Sequence, residues 1–163
     1  MKRTILAILL ITLVFTSQVF ATSSMVVGTV LNYPSSDSPS VIVVPITMTA
    51  HTDGTFTAKQ LTNAELGRSY STQGYYLLHA WAVNNGTTYP ASGALTITDS
   101  KSQQIVGTTV GDTLTFSTAA SGVGYLISTR GPFQRPIVGL LTLSTTTTTT
   151  NGAITVLYLV FGK

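Results

Sequence analysis

Threonine alternates with apolar residues along most of this chain, and that pattern leaves few folds open. Residues 93–98 read Gly-Ala-Leu-Thr-Ile-Thr, with Leu95 and Ile97 on one side and Thr96 and Thr98 on the other. Leu114 and Phe116 repeat the pattern within Asp112–Ser117, and Thr55-Phe56-Thr57-Ala58 is a shorter copy. A period of two is the signature of a half-buried β-strand. Threonine is β-branched, so it suits a pleated surface and can turn its hydroxyl to solvent.

Turn chemistry separates these runs. Asp53-Gly54, Asn85-Gly86, Gly111-Asp112 and Asn151-Gly152 are tight-turn pairs, and Pro34–Pro39 is a longer polar connection. About ten strands are expected, near 25–33, 41–50, 54–60, 75–83, 93–99, 103–110, 112–118, 123–129, 137–147 and 153–161. Pro45 places the second run at an edge or a bulge. No stretch sustains a helical period. One short helical turn is expected near 62–67, where Thr62 and Glu65 fit a capping box, Leu61 and Leu66 a staple, and Gly67 an end. The fold expected is an all-β antiparallel sandwich of jelly-roll or immunoglobulin-like type. An eight-stranded membrane barrel would need longer strands.

The first residues obey a different rule. Met1-Lys2-Arg3 is basic, residues 4–15 are almost wholly apolar, and Val19-Phe20-Ala21 supplies a cleavage site. This predicts a secretory signal peptide over 1–21 and a single domain over 22–163, exported to the cell surface, exterior or periplasm. Removing the leader changes the charge argument. Lys59, Arg68, Lys101, Arg130, Arg135 and Lys163 remain against Asp37, Asp53, Glu65, Asp99 and Asp112, which is close to neutral. No nucleic-acid partner is expected from that balance. Charged residues make up 8% of the chain, against roughly 25% in ordinary soluble domains. Cysteine is absent, so disulfides and thiol chemistry are excluded.

Titratable groups are too few and scattered for a recognisable catalytic set. His51 and His79 lack a zinc spacing, and the five acids form no calcium loop. No Gly-x-Ser-x-Gly elbow accompanies His51-Thr52-Asp53. Neither an enzyme nor a cofactor is expected.

Binding has more support. Tyr75, His79 and Trp81 fall on one strand face at period two, with Asn84 and Tyr89 following. They suggest an aromatic platform for a surface polysaccharide, and core packing by the only Trp is the competing account. Arg130 and Arg135 flank Phe133 in a loop that would suit an anion, or simply solvent. Two further runs suggest self-assembly through strand edges. They are the new N-terminus, with Val26, Val27 and Val30, and the two-sided apolar C-terminal strand, with Leu157, Leu159 and Phe161. Residues 137–147 and 153–161 are expected to form one long hairpin with a Thr145–Thr150 tip.

From Gly74 onward the chain resembles a known group of proteins. The resemblance lies in Gly74-Tyr75-Tyr76-Leu77, Tyr89-Pro90, Ala94–Asp99, Ile105-Val106-Gly107, Pro136–Leu143 and Asn151–Tyr158. These stretches are similar to small all-β accessory proteins of tailed-phage virions. That resemblance implies a β-sandwich attached to a capsid or tail, with no catalytic motif. The leader departs from it, because virion parts are normally assembled in the cytoplasm. The function expected is that of a secreted, non-enzymatic structural or interaction protein. Its partner would be itself or a surface polysaccharide, and a decoration or tail-associated role is the further alternative.

Overall fold

The structure is a computed structural model. It describes residues 23–33, 41–62, 64–66, 75–85, 88–90, 92–107, 110, 112–120, 122–128, 136–145 and 150–162. The leader, Arg130, Arg135 and most of the threonine run lie outside the described residues.

Eleven strands follow one another along the chain. They are β1 (Ser24–Val27), β2 (Leu31–Tyr33), β3 (Val41–Thr49), β4 (Lys59–Gln60), β5 (Tyr76–Asn84) and β6 (Ala94–Thr98). Then come β7 (Gln104–Val106), β8 (Asp112–Thr115), β9 (Val123–Ser128), β10 (Thr142–Thr145) and β11 (Ile154–Gly162). All their pairings are antiparallel. The fold is the expected β-sandwich.

The first sheet runs β1 and β2, then β3, β11, β5 and β9. The second runs β9, β8, β6, β10 and β4, with β7 beside β6. Strand β9 serves both. Its Val123–Tyr125 half pairs with β5 and its later half with β8. Gly124 sits at this corner, where a Cβ would collide with the carbonyl oxygen of Thr115. The chain can change sheets there because two backbones approach more closely than a side chain would permit.

The inner faces of both sheets meet in one core. Ile42, Val44, Ile46, Leu157, Leu159 and Phe161 come from the first sheet, and Leu95, Ile97, Leu114 and Leu143 from the second. Alternation along β3 and β11 accounts for this, since up to Phe161 every second residue is buried and those between are not.

Three expectations need correction. The long hairpin does not form. β10 pairs with β6 and β4, whereas β11 pairs with β3 and β5. Leu143 and Leu157 enter the common core from different sheets. Residues 55–58 leave the ladder, and Phe56 packs on Phe116 in the core instead.

Pro45 also lies in an interior strand, between β11 and the N-terminal pair. Its carbonyl accepts the Gly28 N–H, so its polar edge faces the N-terminal strands. Those strands are interrupted there, between β1 and β2. The missing N–H therefore falls at a break and leaves the β11 side of the ladder intact.

The expected single turn is present. Thr62 N–H and Oγ1 both donate to Glu65 Oε2, while Glu65 N–H donates to Thr62 Oγ1. Leu61 and Leu66 are buried beside it. Among the described residues no helix is long and apolar enough to cross a membrane.

Candidate functional site

The fold decides which way each candidate side chain faces. β5 carries a bulge. Val160 pairs with His79 and Phe161 with Leu77, so Leu78 is an extra residue in the strand. The bulge changes the phase of the alternation. Tyr75 and Leu77 face inward before it, and Ala80, Ala82 and Asn84 after it. His79, Trp81 and Val83 face outward.

The expected platform therefore divides. Tyr75 is a core residue on the opposite side of the sheet from Trp81. Asn84 is also buried, at 7% exposure. Its Nδ2 donates to the carbonyls of Ser117 and Ala119, and its Oδ1 accepts from Thr155 Oγ1. Those bonds tie β11 to the loop after β8 and leave the amide no role at the surface. Tyr89 is half-buried in the connection between β5 and β6, next to Thr88, whose carbonyl accepts from Ile154 N–H. His79 and Trp81 remain together, with ring centroids 5.6 Å apart.

Two aromatics that the sequence reading missed complete a row. Tyr125 lies opposite Trp81 on β9, Tyr158 lies opposite Trp81 on β11, and Pro45 lies opposite Tyr158 on β3. Four strands thus place Tyr125, Trp81, Tyr158 and Pro45 in one line across the outer face. Trp81 and Tyr158 stack at 4.9 Å with 10° between their planes. Rings lying side by side in one plane would meet at their edges before coming so close. These two overlap face on face, as offset-stacked pairs do. They stand up from the sheet and present edges outward.

Aliphatic rows flank the aromatic one. On one side register places Val123, Val83, Val156, Thr47 and Val26 in line. On the other it places His79, Val160, Val43 and Leu31 in line. Several members are well exposed, including Val26 at 58% and Tyr125 at 59%. No Asp, Glu, Lys or Arg stands in these three rows. The outer face of the second sheet is different. There Thr142 opposes Thr98 and Ser144 opposes Thr96, a hydroxyl surface that hydrates readily.

The proposed assembly residues are likewise sorted by the fold. Leu157, Leu159 and Phe161 are fully buried in the core, and β11 is hydrogen-bonded on both edges. That corrects the expectation that these three residues, or an open edge of this strand, offer a contact to another chain. Its outward residues are Val156, Tyr158 and Val160. Val27 and Val30 pack against the core, and Val26 alone of the N-terminal trio faces out strongly. β1 and β2 do form an edge, but a short one broken at Gly28–Val30, which is a poor template for strand addition.

Asp53 and Asp99 are occupied locally, whereas Asp112 Oδ1 is buried without a hydrogen-bond partner. Asp53 Oδ1 accepts from Thr55 Oγ1 and N–H, and His51 lies 3.2 Å away. The Thr55 hydroxyl foremost, then its N–H, hold the Asp53 carboxyl below its usual range. Asp99 accepts from the N–H groups of Lys101, Gln103 and Val138 and so pins the β6–β7 loop. Among the described residues no three His, Cys, Asp or Glu side chains are grouped to hold a metal. No protein-family model matches this chain, and no curated protein matches it.

Proposed function

We propose that this chain is an exported, non-enzymatic structural or interaction protein that works through the outer face of its first sheet. One observation carries the reading. The two outer faces of the sandwich differ in chemistry: the second is lined with hydroxyls, and the first with valines and aromatics across five strands. An apolar surface of that extent is costly to leave in water and characteristic of an interaction site. The leader pattern supports a place outside the cytoplasm.

The same geometry favours a packed contact over a sugar platform. A pyranose ring stacks on an open aromatic face, whereas Trp81 and Tyr158 cover each other's faces.

The test is to express the chain with its own leader and fractionate the cells. The wild type is expected to stay in a sedimentable exterior fraction. Thr47→Lys, a substitution at an exposed position on the face, is expected to be released with an unchanged circular dichroism spectrum. If both proteins partition alike, the face has no such role.

A further inference from the structure

We infer that the partner of this face is a second copy of the same chain, packed sheet against sheet. The inference rests on the functional reading above and names its occupant.

Charge is the first argument. The three rows across β1–β2, β3, β11, β5 and β9 carry no Asp, Glu, Lys or Arg. Two identical copies therefore meet without the like-charge repulsion that usually keeps equal surfaces apart. A partner recognised by salt bridges would find nothing to pair with here.

The second argument is pattern. A two-fold interface must complement itself. The aromatic row through Trp81 and Tyr158 runs near the middle, with Val83 and Val156 on one side and Val160 and Val43 on the other. A half-turn about that row sets Val156 against Val160, Val83 against His79 and Thr47 against Val43, and brings no Asp, Glu, Lys or Arg into the contact. Sheets packing in this way lie about 10 Å apart with strands about 30° off parallel.

The third argument is size. Five neighbouring strands span about 19 Å, and a nine-residue strand such as β11 extends about 27 Å. The face is then on the order of 500 Å² before side-chain margins are added. Standard interfaces bury about 800 Å² per partner, and weaker reversible ones less. The dimer should be reversible and should dissociate on dilution.

The chain carries its own reporter, because Trp81 is its only tryptophan. Mature protein, exported through its leader and purified, would be followed by sedimentation and by Trp81 emission over a dilution series. The expected result is a dimer with micromolar dissociation. Trp81 emission should move to longer wavelength as the dimer separates. Thr47→Lys and Val156→Lys each place two cations in the interface, and each should weaken the dimer at least ~10-fold. Thr47 is already exposed, so its variant should keep the wild-type circular dichroism spectrum even if Val156→Lys does not fold.

A monomer at every concentration overturns the inference. So does a dimer that both lysine variants leave unchanged, since it would be using another surface. If the protein is monomeric but Thr47→Lys still releases it from the exterior fraction, the functional reading stands and only the second copy is wrong.

Discussion

Asn84 shows how a side chain suited to binding can serve the fold instead. It is buried on the inner face of β5 and satisfies two loop carbonyls and one threonine hydroxyl. Truncation would leave the Ser117 carbonyl and the buried Thr155 hydroxyl without this partner, whereas the Ala119 carbonyl keeps its bond from the Gly122 N–H. Asn84→Ala should therefore cost about 2–4 kcal/mol, read as a lower urea midpoint. Thr155→Val keeps the volume and removes a single donor, so it should cost about 1–2 kcal/mol in the same titration. The sequence showed a polar residue at the end of an apolar strand, and nothing local distinguishes a binding amide from a buried one. The deciding information was the phase shift at Leu78. A bulge of this kind depends on pairing with β11, more than seventy residues away, and leaves no local signal.

At the scale of elements, the turn at Thr62–Glu65 was legible because its chemistry is local. A hydroxyl and a carboxylate three residues apart cap each other wherever the chain lies. The Lys59 ammonium foremost, with the Thr62 N–H and hydroxyl, holds the Glu65 carboxyl below its usual range. A carboxyl depressed in the folded state stabilises fully above its unfolded value. That contribution is lost as pH falls through the lower folded value. Glu65→Ala should thus cost about 1 kcal/mol at neutral pH and progressively less in acid. Glu65→Gln should keep part of the cap and flatten that acid dependence, as urea midpoints at pH 7 and pH 3 would show.

The corner at β9 was not legible, because Gly122-Val123-Gly124 reads equally as a turn. Gly124→Ala drives a Cβ into the Thr115 carbonyl, and backbone cannot move aside as a flexible side chain can. It should lower stability by at least about 1–3 kcal/mol, visible as a lower melting temperature.

For the whole molecule, alternation located nearly every strand, because side-chain period is a property of the sequence alone. Strand order was hidden. The C-terminal strand is two-sided in composition because it lies between β3 and β5 with its inner side in the core. From sequence that composition is equally compatible with an exposed edge. Tyr125 and Tyr158 were missed for the same reason, since they join Trp81 only through pairings across distant strands. What the assembled sandwich reveals is an asymmetry between its two outer faces.

Hydroxyl-radical footprinting reads this directly. The exported protein would be labelled in place at the cell exterior and, separately, after purification and high dilution. Trp81 and Tyr125 should be protected in place and oxidised on dilution, while His51, in the turn after β3, should react alike in both. Equal oxidation of Trp81 and Tyr125 in the two states would mean that the face stands open where the protein works, and would contradict the account.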